Sequence, residues 1–373
     1  MKTRYGNCLT FYGGGLCDPA NYYITGLENR LVKSGLFDEV FVGFFSFRCL
    51  TEKGLIQKWS NELAIEAANA HGGFFGTARE TNLVDTMLMK KAIKLCKSYN
   101  IRWIFIGGGD GSARQISEIA EAFKKEGINF VFTMPLTIDG INGGESIGVN
   151  SAVDASLSLI EQVSATTLRT LNGNKFPWIT FELQGRNRDD ILVKVLRRIA
   201  SYNGFWNGRI GDFKKRDVQL IALPANLSWN VEDLRRIMKK SNTESFHRIL
   251  HGVPTVILLS EGAQIGRKAI EKMGEEENIK IRSFEIGHYS QMNGCTTDAE
   301  RRLIDTVLDK TVKVIEEMIT FEKPYTIVFE DISRSKCRVE DISFFGVNNP
   351  RDGKYNFSYE DYFFLSRFIP NEY

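Results

Sequence analysis

Short apolar runs that end in glycine or small polar residues recur along the chain, and most are followed by a stretch with helical periodicity. Residues 7–12 form the first run. It ends in Gly13-Gly14-Gly15 and reads as a buried strand entering a tight loop. Asp18 and Pro19 then open a helix expected to reach Val32, with Asp18 as N-cap and Pro19 in the first turn. Residues 40–45 are the next strand, 85–99 a helix, and 102–106 a strand that runs into Gly107-Gly108-Gly109-Asp110-Gly111-Ser112. A helical segment and a second apolar run follow, ending in Thr137-Ile138-Asp139-Gly140. Beyond it the pattern predicts a helix over 152–168, strands over 176–183, 218–223, 255–259 and 279–286, a helix over 297–319 and a late strand over 325–329. Strand, loop and helix in this order predict an α/β fold with parallel sheets and ligand groups at the carboxyl ends of the strands. The division expected is two α/β lobes sharing a cleft. One comprises residues 1–150 plus about 290–340, the other about 151–289, and an aromatic-rich segment, 341–373, packs on the body or on a neighbour.

Composition narrows the function class without choosing within it. A length of 373 residues suits two domains, and 43% hydrophobic with 25% charged residues is ordinary for a globular protein. A net charge of +2, with no Lys/Arg-rich run, gives no electrostatic case for nucleic acid or a membrane surface. The six cysteines are scattered without a C-x-x-C pair, so reduced packed thiols are expected rather than disulfides or a zinc site. With no signal-peptide pattern and no bilayer-length apolar run, the expected location is cytoplasmic.

The candidate chemistry lies in the strand-end loops. Glycines between a strand and a helix let backbone amides approach a phosphate, which fits Gly14 and Gly15, although a lone glycine triplet is equally a sharp turn. Asp110, between glycines, is either an Asx-turn residue or a magnesium-associated carboxylate beside amides of Gly109, Gly111 and Ser112. Ser112 has a second possible role as a helix cap. Asp139 at the next strand end is positioned to accept the proton of an attacking hydroxyl, with Thr137 hydrogen-bonding the substrate; the alternative is a turn aspartate. Arg79 and Arg186 stand at glycine-containing loops suited to a charged phosphoryl group, where solvated surface arginines are also common. His288, after Gly287, is a substrate donor or a turn histidine.

Taken together, Gly14-Gly15 with Asn21, Gly76-Thr77-Ala78-Arg79, Gly108 to Ser112, Pro135 to Asp139, Gly185-Arg186, Ser260-Glu261-Gly262 and Arg282 through Gly287-His288 resemble the ATP- and pyrophosphate-dependent 6-phosphofructokinase family. The likeness runs up to the late helix, and the GGDGS and PxTID pair is its specific part. It implies two α/β/α three-layer lobes with largely parallel sheets and the active site in the cleft between them. It also implies Asp139 as catalytic base, Thr137 as substrate and transition-state contact, and Asp110 on the Mg2+ side. Arg79 and Arg186 would contact donor and transition state, with Gln184, Gly185, Glu261, Arg282, His288 and Gln291 toward the acceptor. A glycine after the GGDGS aspartate goes with ATP in this family, and here it is Gly111. Pyrophosphate users carry lysine where Leu136 stands, so ATP is the expected donor. A homodimer or homotetramer is implied.

The departures fall on the acceptor side. Gly140-Ile141 replaces the family's Asn-Asp after TID, leaving Glu145 as the nearest carboxylate. Gln291 replaces the arginine that holds the sugar 6-phosphate. Pro177, with Lys175 nearby, stands near the place of an arginine donated across a subunit interface, and Gln184 replaces a methionine. Each lost charge-assisted contact is worth roughly 1.5–3 kcal/mol, so a kinase acting on a non-phosphorylated sugar, cyclitol or nucleoside-like alcohol is expected. The competing readings are an ordinary 6-phosphofructokinase and a non-catalytic regulatory homologue.

Overall fold

The computed structural model describes residues 5–15, 17–70, 72–78, 81–134, 136–138, 146–167, 178–185, 189–201, 219–243, 255–287, 289–292, 296–317, 325–331, 336–341 and 359–370. The chain divides into two units. Unit 1 comprises Met1–Ser151 and Gln291–Gly353, and unit 2 comprises Ala152–Ser290 and Lys354–Tyr373.

Unit 1 is built on a seven-stranded sheet. Its strands are β1 (Asn7–Gly13), β2 (Val40–Gly43), β3 (Ile56–Lys58), β4 (Ile101–Gly108), β5 (Asn129–Met134), β10 (Tyr325–Asp331) and β11 (Lys336–Asp341). Their order is β11-β10-β5-β4-β1-β2-β3. The pairs β2/β1, β1/β4, β4/β5 and β5/β10 are parallel, while β3 and β11 are antiparallel outer strands. Its helices are α1 (Pro19–Ser34), α2 (Asn61–Asn69), α3 (Thr86–Ser98), α4 (Asp110–Lys125) and α10 (Asp298–Glu317).

Alternation along β1 sorts the helices into two outer layers. Leu9 and Phe11 point into a core with Ile104, Ile106, Phe130 and Phe132, filled by Ala92 and Cys96 of α3 and Ile116, Ile119 and Phe123 of α4. Full burial of a side chain such as Phe123 is worth about 1.5–3 kcal/mol. Thr10 points to the opposite face and donates to the Glu28 carboxyl of α1. Tyr23, also on α1, donates to Thr133 of β5 at 2.9 Å. Helix α1 therefore covers the face that α3 and α4 leave. It starts with Pro19 and stops at Gly35, which takes φ 65. Asp18 occupies the N-cap position in helical geometry (φ −55, ψ −40) and makes no capping hydrogen bond, contrary to the expectation from its residue type. Asp85 does cap, accepting from Met87 and Leu88 amides at 2.8 and 3.0 Å.

Glu28 is fully buried, and burial pushes its carboxyl pKa well above the ordinary value. Its Oε2 has no hydrogen-bond partner among the described residues. The folded chain thus holds a proton at a pH where the unfolded chain has released it, so stability falls as pH rises from about 4.5 through the folded value. Glu28→Gln is expected to flatten that slope, and urea midpoints compared at about pH 5 and about pH 8 check it. A wild-type midpoint that does not fall relative to the variant would remove Glu28 as the source.

Unit 2 carries a four-stranded, wholly parallel sheet in the order β7-β8-β6-β9. These strands are β6 (Trp178–Leu183), β7 (Gln219–Leu223), β8 (Thr255–Ser260) and β9 (Ile281–Glu285). Leu234 and Met238 of α7 (Val231–Thr243) and Ile270 and Met273 of α8 (Arg267–Glu276) pack with Trp178, Ile221, Leu223, Ile257 and Leu259 into one core. The unit also holds α6 (Asp190–Ser201) and α11 (Tyr359–Leu365), while α5 (Val149–Thr167) carries the chain into it and α9 (Tyr289–Met292) carries the chain back into unit 1. Behind α11, Phe368 O accepts from the Ala222 amide at 2.8 Å, placing the C-terminal segment along edge strand β7. Arg197 fixes α11 through Asp361 at 2.6 Å and lies 5.7 Å over the Phe364 ring. The α/β class with largely parallel sheets is as the sequence pattern predicts. Among the described residues no helix is long and apolar enough to cross a membrane. Cys8, Cys17, Cys49 and Cys96 are free and buried, and burial raises the Cys17 and Cys96 thiols to about 12.

Candidate active site

In unit 1 the candidate residues gather at the carboxyl ends of β1, β4 and β5. Gly13 and Gly108 are register partners, and a Cβ on Gly108 would lie 2.3 Å from Gly13 O. A Cβ on Gly13 would lie 2.6 Å from Ser112 Oγ. The two glycines let adjacent strand ends and the first turn of α4 close on one another without side chains between them. Gly14 then takes φ 112, a left-handed value.

Helix α4 begins one step earlier than a turn reading of Asp110 allows. Gly109 is the N-cap in extended conformation (φ −105, ψ −165), and Asp110 is the first helical residue. Its carboxylate therefore belongs to a helix N-terminus rather than an Asx-turn, at the positive end of the helix dipole. Ser112 lies inside the helix with its side chain buried on Gly13, so it does not cap. Ser112 N and Ala113 N both donate to Gly109 O at 3.1 Å, and the amides before them open a helix N-terminus, where an anion is favoured.

Thr137 is brought to the same place. Its Cβ and Oγ1 lie 3.3 and 3.4 Å from where a Gly109 Cβ would stand, so a side chain at residue 109 would crowd Thr137. Leu136 N donates to Gly108 O at 3.1 Å and Tyr12 Oη donates to Leu136 O at 3.0 Å. Thr137 N donates to Ile147 O at 2.9 Å, closing the stem of the loop that carries Asp139. The 72–78 segment joins from the other side. Thr77 Oγ1 donates to Gly14 O. Asn21 donates to Gly72 O and accepts from the Phe74 amide at 3.0 Å. Gly14, Gly15, Gly109, Asp110, Gly111, Ser112 and Thr137 are thus on one edge of one sheet. Arg79 and Asp139 lie outside the described residues. Tyr12 and Thr77, which hold the loops together, were not among the candidates.

Among the described residues no group of three or more His, Cys, Asp or Glu side chains forms. The half-buried Asp110 beside side-chain-free backbone fits a divalent ion of the Mg2+ type, which takes one or two carboxylates and otherwise water and phosphate oxygens.

In unit 2, Gln184 and Gly185 directly follow β6, with Gly185 at φ 131. Glu261 N donates to Leu183 O at 3.0 Å, which sets Glu261 beside them on the exposed end of β8. Gln184 Oε1 lies 3.5 Å from Ser290 Oγ, so α9 is tied to the same strand end. Asp189 was not a candidate, but it organises this edge. It is fully buried and accepts from Ala225 N at 2.8 Å, Asn226 N at 3.0 Å and Ser260 Oγ at 2.5 Å. Arg267 of α8 meets Glu182 at 3.2 Å and Glu285 at 2.6 Å. Burial pushes the Glu182 carboxyl up, Arg267 draws it down, and Glu285 and Glu261 push it further up.

Arg282 is not with this group. It pairs in register with Ile179, five residues before Gln184, which at about 3.3 Å per residue is roughly 16 Å along the strand. It stands at the amino end of the sheet. Arg186 and His288 lie outside the described residues, as does the side chain of Gln291.

The phosphofructokinase family model matches residues 7–192. The ATP-dependent 6-phosphofructokinase of Macrococcus caseolyticus (strain JCSC5402) is 23% identical over 298 residues, covering 78% of this chain and 79% of that protein. Among solved structures, the pyrophosphate-dependent phosphofructokinase from Marinobacter aquaeolei superposes with a TM-score of 0.68 at 15% identity, over 99% of this chain and 92% of that one. The phosphofructokinase from Saccharomyces cerevisiae gives 0.66 at 16% identity over 92% of this chain, which spans 45% of the yeast chain. At these identities the structural likeness is one of fold.

Proposed function

This chain belongs to the phosphofructokinase family, and from that premise we propose that it moves the γ-phosphate of ATP to an alcohol group of a sugar-like small molecule that lacks the 6-phosphate. The observation that carries the transfer reading is the close approach of Thr137 to Gly109, where a Cβ would stand 3.3 Å from the Thr137 side chain. It sets a phosphate-binding helix terminus beside the loop that holds a carboxylate two residues on, at Asp139.

Each residue then has a role of its own. Backbone amides at Gly109, Asp110 and Gly111 bind the donor's phosphates, with Gly14 and Gly15 closing the other wall. Arg79 and Arg186 neutralise charge on the moving group. Thr137 orients the attacking hydroxyl, and Asp139 takes its proton. Phosphoryl transfer asks little more of the protein than position and charge. A bound Mg2+, on the Asp110 side, would supply further charge neutralisation on the phosphates. ATP rather than pyrophosphate is supported by Gly111 and by Leu136, which is fully buried against Gly107 where a lysine would need an outlet.

Gln184, Gly185, Glu261, His288 and Gln291 are assigned to the acceptor. The absence of a 6-phosphate is supported by Gln291 and by Arg267, whose guanidinium is already shared between Glu182 and Glu285. Arg282, at the far end of the unit 2 sheet from Gln184, is assigned to the acceptor of a neighbouring copy, which a homodimer or homotetramer supplies. The second reading, 6-phosphofructokinase itself, is supported by the curated relative and by the retained Arg282 and His288.

The test is phosphate transfer from Mg-ATP and from Mg-pyrophosphate across fructose 6-phosphate, fructose, a cyclitol and nucleosides. A non-phosphorylated acceptor with the highest kcat/KM is expected. Fructose 6-phosphate as the best acceptor at ordinary efficiency would favour the second reading, and transfer to none of the acceptors would remove the enzyme reading.

A further inference from the structure

We infer that Glu300 is a positioning residue for the catalytic loop, an inference that rests on the transfer reading above. Glu300 is the third residue of α10 and fully buried. Its carboxylate does two jobs at once. Locally it completes a capping box with Thr297: Thr297 Oγ1 and N donate to Glu300 Oε2 at 2.9 and 3.2 Å, and Glu300 N donates back to Thr297 Oγ1 at 3.2 Å. At long range its Oε1 accepts from Gly148 N at 2.8 Å and Ser151 N at 3.2 Å, and Oε2 accepts from the Ser151 hydroxyl.

The second job follows from a constraint at Gly148. That residue precedes α5 at the position where a capping side chain normally serves the helix's first amides. It has φ 123, and a Cβ there would lie 2.9 Å from Thr137 O. A capping serine or aspartate is therefore excluded at Gly148, because the Thr137 backbone occupies the space. Glu300 supplies the acceptor from another helix. In doing so it clamps Gly148 onto Thr137, while Ile147 O accepts from Thr137 N at 2.9 Å. The Asp139 loop leaves from this stem. The same helix start reaches the loop behind β1, since Thr296 Oγ1 lies 3.4 Å from Asp18 O. Glu300 touches neither substrate nor the reacting atoms; it acts through the register of Thr137 against Gly148.

Two full-length variants test this, Glu300→Gln and Glu300→Asp. Gln keeps the shape but turns an NH2 toward donors. Asp keeps both acceptors one methylene back. With Mg-ATP and the acceptor that wild type uses, Glu300→Gln is expected to lower kcat about tenfold with KM for ATP within about twofold, because misplacement by about an ångström is enough for such a loss. Glu300→Asp is expected to recover part of the lost kcat. Amides of residues 136–138 and 146–152 should exchange faster in Glu300→Gln, with those of β1 and β4 unchanged.

Wild-type kcat in Glu300→Gln would overturn the inference. So would equal losses in both variants accompanied by faster exchange throughout unit 1, which is the behaviour of a structural cap alone. If wild type phosphorylates no acceptor, the transfer reading fails by itself and exchange decides the positioning: a local increase supports it and no change overturns it. If Glu300→Gln does not fold, Glu300→Asp decides, with reduced kcat at retained KM for ATP supporting the inference and wild-type kcat overturning it.

Discussion

Replacing Asp139 by Asn is expected to lower kcat by about 10² or more while leaving Mg-ATP binding and the thermal midpoint unchanged. Asparagine has the size of aspartate and keeps an acceptor oxygen, but it cannot take the proton of an attacking alcohol. Its effect therefore separates a base from a turn residue. A turn role asks only for a short polar side chain near the backbone, which asparagine provides equally well. Asp139 follows Thr137 and Ile138, whose place beside Gly109 and on the Ile147 stem is set by backbone hydrogen bonds. The substitution should not disturb them, so a loss confined to kcat would point to chemistry. Turnover equal to wild type would dismiss the assignment. Loss of Mg-ATP binding would move Asp139 to the donor side. A non-catalytic homologue would show no turnover in wild type and the same nucleotide binding in both proteins.

The parts of the fold that rest on local pattern were legible, and those that rest on register or distance were not. Apolar runs ending in glycine located β1, β4 and β6 because buried parallel strands have few ways to be written. The helix after Gly109 was legible in kind but not at its start. Extended geometry at Gly109 makes it the cap, which leaves Asp110 in the helix and Ser112 packed on Gly13. Asp18 has the residue type and the position of a cap, yet its backbone is already helical, and no residue preference reports that. The family resemblance grouped Arg282 with His288 and Gln184 toward the acceptor. The pairing of Arg282 with Ile179 separates it from Gln184 along the sheet, and register is a tertiary property. Glu300 is the mixed case. Thr297 and Glu300 carry the spacing of a capping box, which sequence can show, but the bonds to Gly148 and Ser151 span about 150 residues and exist only once the sheet has formed.

Gln291→Arg is expected to raise kcat/KM for fructose 6-phosphate about tenfold or more. An arginine pairing with a phosphate contributes roughly 1.5–3 kcal/mol, and about 1.4 kcal/mol corresponds to a factor of ten. The position is suited to this because the residue before it in α9 is anchored. The Ser290 hydroxyl donates to Gly287 O at 3.0 Å and lies 3.5 Å from Gln184 Oε1, so residue 291 follows a residue tied to the end of β6. The new guanidinium would be free of the arrangement that occupies Arg267, which Glu182 and Glu285 already share. The gain should appear in KM for fructose 6-phosphate, since a remote phosphate contact is made in ground and transition states alike. A non-phosphorylated acceptor has nothing for the added charge to meet, and its kcat/KM should stay level or fall. If fructose 6-phosphate gains nothing, the phosphate is not read at residue 291, and the case for an acceptor altered at that position fails with it. If both acceptors improve equally, the substitution acts on the loop rather than on specificity.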